Sequence, residues 1–288
     1  MQYQLVIAHR VCPILANTAA LYNDKLKMVT DTTLSLAHAL RGIKTKLIVI
    51  LDGCNDKYEK LFDSVFANRR IDGVDYERIS TPSIGNCGTY AEQYRRCLPY
   101  LQSAEYFYFS EDDYIYKKEA FHAMMDFIQN SDVDFVTPLD HPDRYSHIVP
   151  ECVRVEVRVS DYCHWREVGT TCCTFMTKKD VFMKASYGLL SYANGAGDGG
   201  MWLYLTRDSV FKLSSTIGAM INYLMGRRKT KEGLEFCVLA AWRFHKYKLL
   251  FGRKYRLWGP CPSLAVHLCK PSLPPLYGRI MAGQPVLS

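Results

Sequence analysis

The chain has 288 residues, 48% hydrophobic and 23% charged, the composition of an ordinary globular protein with one large domain or two small ones. Its net charge of +7 is unevenly divided: residues 1–200 hold 22 Lys/Arg against 26 Asp/Glu, and residues 201–288 hold 14 against 3. An acidic body with a basic tail argues against a uniformly basic nucleic-acid binder, and 11 cysteines without a C-x-x-C pair argue against a zinc ribbon or a disulfide framework.

The opening MQYQLVIAHR lacks the basic cluster and apolar run of a signal peptide. No apolar stretch approaches the roughly 18 residues of a spanning helix, and there is no N-x-S/T sequon. A cytoplasmic location is expected.

The first 140 residues alternate between apolar β-type runs and helical patterns. Strands are predicted at Gln4–Ala8, Lys46–Leu51, Val74–Ile79, Tyr106–Ser110 and Asp134–Pro138. Helices are predicted near Ala19–Leu40, Asp56–Asn68, Gly88–Leu101 and Lys118–Asn130. Strands separated by helices of this length imply an α/β fold with a mostly parallel central sheet flanked by helices. After Pro138 the rhythm changes. Val153–Val159 alternates as a half-exposed edge or antiparallel strand, and Thr170–Thr177 is a second β-like run. A Gly-rich loop, Asn194–Gly200, leads into a helix at Met201–Thr206, and the remainder is helical and basic to Arg256, then Pro-rich. The expected division is a core over 1–210 and a basic helical C-terminal extension over 211–288 that packs back on it.

In open α/β sheets ligands bind beyond the carboxyl ends of the strands, so the residues that follow strands carry the chemistry. Glu111-Asp112-Asp113 ends the run Tyr106–Phe109; consecutive acids repel unless solvated or neutralised by a hard cation such as Mg2+ or Mn2+, which also bridges a diphosphate. Asp52-Gly53 follows Leu51 and is either a plain Asp-Gly turn or a carboxylate that accepts hydrogen bonds from a base or ribose. Gly195–Gly200 formally fits G-x-G-x-x-G, but no apolar strand precedes it and no acid sits about 20 residues on, where a ribose contact belongs. Its one acid, Asp198, is a candidate general base or a helix N-cap. A lone histidine such as His267 is usually structural, and none of the eight histidines forms H-x-x-x-H.

Taken in order, these segments resemble the GT-A glycosyltransferases, especially inverting, family-2-like members, over roughly residues 3–210 and the tail around His267. QLVIAHR resembles the first nucleotide-contacting strand, which implies nucleotide-sugar contacts from Ala8, His9 and Arg10. LIVILDGCND resembles the second, giving Asp52 the base contact. Asn86 and Gly88 match an N-x-G turn, and Glu111 and Asp113 match the outer acids of the D-x-D metal motif, with Glu in place of the first Asp and Asp112 between them. GTTCCTFMTKKDVF resembles the acceptor-side strand. AGDGGMWLYL resembles the loop that holds the catalytic base, which falls on Asp198, although Gly197 stands where the family has an acid. SLAVHLCKPSLPPL resembles the tail whose His completes the metal site.

The resemblance implies a UDP- or GDP-sugar donor, a glycan or lipid-linked glycan acceptor, and Mn2+ or Mg2+ held by Asp113, Glu111 and His267. Donor-side contacts from Glu111 and Asp112 and single displacement with Asp198 as base are implied with it. His141, Asp143 and Arg144, in PLDHPDRYSH, together with Trp202, are expected at a sugar or acceptor pocket; the alternative for the loop is a Pro-bearing surface turn. The basic, aromatic stretch 211–256 is either a solvated face, a peripheral membrane contact or a phosphate binder, and no nucleic acid is expected as partner. Two rival classes remain. A sugar-phosphate nucleotidyltransferase would carry a Gly-rich basic loop after the first strand, which AHRVCPILAN lacks. A non-catalytic carbohydrate-binding protein of the same fold is the other.

Overall fold

The structure, a computed structural model, describes residues 2–15, 21–68, 71–146, 156–212, 217, 234–269, 273, 274 and 278. Eleven strands are described: β1 (Tyr3–Val11), β2 (Thr45–Asp52), β3 (Val74–Thr81), β4 (Ala104–Glu111), β5 (Tyr114–Tyr116), β6 (Phe135–Val136), β7 (Val157–Val159), β8 (His164–Val168), β9 (Phe175–Lys178), β10 (Leu257–Cys261) and β11 (Ala265–His267). Ten α-helical segments lie between them: α1 (Lys25–Ala39), α2 (Asp56–Phe62), α3 (Gly85–Cys97), α4 (Ala120–Asn130), α5 (Asp143–Ser146), α6 (Lys179–Lys184), α7 (Ser186–Leu190), α8 (Gly197–Thr206), α9 (Leu234–His245) and α10 (Lys248–Phe251).

Nine strands form one sheet in the order β3-β2-β1-β4-β9-β6-β10-β8-β7. β1 is parallel to β2 and β4, and β2 to β3; β9 is antiparallel to both neighbours, β4 and β6. The long central strands are apolar throughout because both faces are covered. Along β1, Leu5 and Ile7 enter one core while Val6 and Ala8 enter the other; along β4, Tyr106 and Tyr108 oppose Phe107 and Phe109. The first core is closed by α1, α2 and α4, the second by α3 and α6 to α9.

α1 starts at Lys25, capped by the Asp24 side chain on the Leu26 and Lys27 amides. The predicted first part of that helix, from Ala19, therefore does not exist as helix where it is described, and residues 19 and 20 lie outside the described residues. α2 continues into a wider helical turn over Asp63–Ala67, close to the expected 56–68. The helix predicted from Gly88 begins earlier, at Gly85, and ends in a tight turn at Leu98–Tyr100, where Pro99 cannot extend the ladder. Of the alternating run 153–159, residues 157–159 form the edge strand β7, paired antiparallel with β8; residues 153–155 lie outside the described residues. The β-like run from Thr170 is shorter than expected, since β9 begins only at Phe175.

Two expectations for the second half are corrected. The tail expected to be helical and to pack back on the core also supplies strands to it: β10 lies inside the sheet between β6 and β8, and β11 pairs with β5, so a cut at 210/211 would divide the core. The stretch Asn194–Gly200 is not a loop. Tyr192–Ala196 forms a wide helical turn and Gly197 opens α8. Its glycines serve packing: a Cβ at Gly199 would lie 2.1 Å from Cys237 Sγ, and one at Gly200 would lie 3.1 Å from the Ala240 Cβ. Two helices, α8 and α9, thus approach backbone to backbone.

Candidate active site

The chain runs outward from β1 through β2 to β3, then returns to place β4 on the other side of β1. Such a reversal leaves a crevice beyond the carboxyl ends of the two strands. A cavity of about 610 Å³ lies there, and its wall includes Arg10, Lys25, Asp52, Asn86, Glu111, Asp112, Asp113 and His267.

Arg10 ends β1 and Glu111 ends β4, in register. Their side chains pair at 2.6 Å, with only 9% and 21% of each exposed. Arg10 also donates to the Asn86 carbonyl at 3.0 Å and to the Tyr192 hydroxyl at 3.4 Å, and lies 5.5 Å from the Tyr192 ring centre. The second Glu111 oxygen accepts from Thr174 Oγ1 at 3.2 Å. Asp112 turns inward, accepting from Lys25 Nζ at 2.8 Å and from the Cys12 amide at 2.9 Å. Burial pushes its carboxyl up, with Lys25 opposing.

Asp113 is different. Its Oδ2 meets His267 Nε2 at 3.0 Å, while its Oδ1 is buried and makes no hydrogen bond. The two residues are brought together by the β5–β11 ribbon, in which His267 stands opposite Tyr114 and stacks on its ring at 4.7 Å. The other ring nitrogen, Nδ1, faces the Cys172 thiol at 3.9 Å. Burial alone would raise the Asp113 carboxyl and lower the imidazole, but the pairing overrides it: the carboxyl is held below its usual range and the His267 imidazole well above.

The expected three-ligand metal set is not assembled. Among the described residues no group of three or more His, Cys, Asp and Glu side chains converges as a metal set. The cause is Arg10, which takes Glu111 as its counter-ion. The remaining pair can serve a hard divalent ion once the imidazole gives up the proton it shares with Asp113, since such ions are held by one or two protein ligands plus phosphates and water. The Asp113–His267 separation is 3.0 Å, and the unsatisfied Oδ1 needs a partner.

Asp52 holds the turn that follows β3. Its Oδ1 accepts from Thr81 Oγ1 (2.8 Å) and the Ile84 amide (2.6 Å), and its Oδ2 from the Gly85 amide (2.8 Å). Gly53 has φ +65°, and a Cβ there would lie 2.0 Å from Ser83 Oγ. The Asp-Gly turn and the cavity wall are therefore one feature, with the carboxylate already engaged by backbone.

Asp198 lies in the first turn of α8 and accepts from the Cys173 thiol at 2.8 Å. Its carboxyl is pushed up to about 6 by burial and then by the charge of Glu111, against the opposing influence of Cys173 and Arg10. The residue is half-buried and is not among those that line the cavity; a carboxylate poised near neutral pH suits a general base. It caps no helix end by a side-chain bond.

Several expected contacts fall elsewhere. Ala8 and His9 are buried within β1, and neither lines the cavity. His9 bonds Ser110 Oγ at 2.9 Å, and burial lowers its imidazole to about 3. Gly88 sits inside α3, where a Cβ would lie 2.9 Å from Ile84 Cβ, so it serves packing and not a nucleotide turn. Trp202 is fully buried between Phe135 and Phe175 and donates to the Cys172 carbonyl, so it is a core residue and not part of a sugar pocket. Arg144 is buried against β10, donating to the Leu139 carbonyl at 3.0 Å; it and half-buried His141 are absent from the cavity wall. The Asp143 side chain lies outside the described ones. Sequence reasoning missed Lys25, Cys172, Cys173, Thr174 and Tyr192, all joined to the site by long-range contacts.

No protein-family model matches the sequence, and no curated protein matches it. Among solved structures, S. aureus TarS 1–349 is similar over 64% of this chain and 49% of its own, at 13% identity and a TM-score of 0.38. A cytidylyltransferase from Leptospira borgpetersenii is similar over 64% of each chain, at 13% identity and 0.34. The mannosyltransferase PcManGT from Pyrobaculum calidifontis, in complex with GDP-Man and Mn2+, is similar over 51% of this chain and 38% of its own, at 9% identity and 0.37. The chain thus spans about half the length of the first and under two thirds of the other two. At such scores the functional reading rests on the geometry of the site itself.

Proposed function

We propose that the protein is a cytoplasmic glycosyltransferase that takes a sugar from a UDP- or GDP-sugar and passes it to a carbohydrate hydroxyl by a single, inverting displacement. The observation that carries this reading is Asp113. Of three consecutive acids at one strand end, it alone keeps a buried carboxylate oxygen without a partner, beside His267, in a cavity at the switch point of the sheet. Asp113 and His267 would hold Mn2+ or Mg2+; when bound, the ion neutralises charge that builds on a diphosphate leaving group.

The other residues divide the remaining work. Lys25 neutralises Asp112 and so keeps the acidic turn from repelling a nucleotide. Arg10 fixes Glu111 and ties β1 to the first turn of α3 through the Asn86 carbonyl. Asp198, held by the Cys173 thiol next to Thr174, the partner of Glu111, removes the proton from the acceptor hydroxyl as its oxygen attacks the anomeric carbon. Its raised carboxyl pKa favours that role near neutral pH.

Product analysis tests the reading. With a nucleotide sugar, Mn2+ and a range of glycan acceptors, the account expects release of a nucleoside diphosphate that depends on acceptor. Consumption of a sugar 1-phosphate with release of pyrophosphate would assign the cavity to a nucleotidyltransferase instead. Tight nucleotide binding with no turnover on any acceptor would assign it to a binding protein.

A further inference from the structure

The segment between α9 and β10 stands out from the rest of the surface. In Lys246-Tyr247-Lys248-Leu249-Leu250-Phe251-Gly252-Arg253-Lys254 every residue except Leu249 is exposed. Phe251 is 84% exposed, Tyr247 66% and Leu250 59%. Leu249 anchors the segment in the second core, and Lys246 takes φ +49° to turn the chain out of α9. Three neighbouring apolar side chains held in water are costly, and clusters of this kind mark interaction sites.

The charge carried by the segment itself is of one sign. The segment carries four Lys or Arg and no acid, and no Asp or Glu follows Glu235 anywhere in the chain. Arg253 is paired with Asp134 at 2.7 Å, which leaves Lys246, Lys248 and Lys254 to set the local field. Beneath the segment lies Arg207. Its guanidinium lies over the Tyr204 ring, 4.2 Å from the ring centre, and its Nη2 donates to the Lys248 carbonyl at 3.1 Å, so it braces the segment from below. Exposed aromatic and aliphatic tips with lysines at their flanks fit a partner with an apolar interior and an anionic surface.

We infer that residues 246–254 dock on an anionic lipid bilayer, with Tyr247, Leu250 and Phe251 entering the interface and the lysines meeting the lipid phosphates. The direction of β10 then fixes the orientation of the protein. β10 is parallel to β6, and β6 and β4 both run opposite to β9, so residue 254 lies at the end of the sheet where β4 begins. Glu111 and the cavity lie at the other end. The docked protein presents its cavity away from the bilayer, open to water-borne ligands. This inference does not rest on the glycosyltransferase reading.

Co-sedimentation with vesicles of phosphatidylcholine alone, or with about one third phosphatidylserine, tests it. Wild-type protein should bind the anionic vesicles, with at least tenfold weaker binding to neutral vesicles and at high salt. Leu250→Ser with Phe251→Ser, and separately Lys246→Glu with Lys254→Glu, should each lower binding at least tenfold. Both pairs are at the surface, so melting temperature and nucleotide affinity should be unchanged, and that affinity should be equal with and without vesicles. Equal binding to both vesicle types overturns the inference. So does binding that survives both pairs, including the case in which only reversal of Arg227, Arg228 and Lys229, outside the described residues, abolishes it. Preference for an RNA homopolymer over anionic vesicles also overturns it.

Discussion

Asp113 and His267 are 154 positions apart in sequence and meet at 3.0 Å, Oδ2 to Nε2, because the β5–β11 ribbon folds the tail against the acidic turn. The tail therefore completes the cavity, and the chemistry at the end of β4 depends on residues that follow the last strand of the main sheet.

Asp198 links activity and stability. Asp198→Asn should lower turnover by roughly 10²- to 10⁴-fold with donor affinity about intact, because a base acts on the acceptor proton. The same change should stabilise the protein at high pH. The folded carboxyl titrates at about 6, above its ordinary 3.8, so wild type loses stability as pH rises through that window, whereas Asn does not titrate. The melting temperature of the variant should exceed that of wild type at pH 8, and the difference should vanish by pH 3.8. Near-normal turnover would move the base to another group.

Arg10 and Glu111 form a largely buried pair, and removing one partner strands the other charge. Arg10→Met should cost about 3 kcal/mol in denaturant unfolding. Arg10→Met with Glu111→Met should recover much of that loss, giving a large coupling energy in a double-mutant cycle. Additive single effects would mean that the pair contributes nothing as a pair.

His245 is buried and stacks on Tyr204 at 3.8 Å. Burial, with Arg207 and Lys248 nearby, lowers its imidazole to about 4. Between pH 6.5 and about 4 the unfolded chain takes up a proton that the folded chain refuses, so stability falls as pH drops through that range. His245→Phe keeps an aromatic ring in the stack and cannot titrate. Its melting temperature should fall less steeply than that of wild type from pH 6.5 to 4; parallel curves would contradict the assignment.

The parallel half of the sheet is legible in the sequence because each central strand is a continuous apolar run closed by a turn. Leu5–Ala8, Leu47–Leu51 and Tyr106–Phe109 each divide their side chains between the two cores. Strands β6 and β9 are visible only as β-type runs longer than the two and four residues that form, and their order beside β4 depends on tertiary packing. The acidic turn and His267 were visible as residue types after strands, but their roles separate only through partners distant in sequence. Lys25 claims Asp112 from 87 positions away, and Arg10 claims Glu111 from 101. The glycines at 199 and 200 suggested a loop because sequence shows the missing side chain and not the neighbouring helix that requires it. Trp202 suggested a sugar platform for the same reason: an aromatic near an acid has the same appearance whether it faces a ligand or Phe135 and Phe175.

The most direct test of the central claim is calorimetric titration of UDP and GDP into the protein with Mn2+ or with chelator, for wild type and Asp113→Asn. The account predicts that one nucleotide binds with Mn2+, that its affinity falls at least tenfold with chelator, and that Asp113→Asn shows the weak affinity under both conditions while keeping the wild-type melting temperature within a few degrees. Equal nucleotide affinity with and without the metal, or an Asp113→Asn variant that retains the full metal effect, would contradict it.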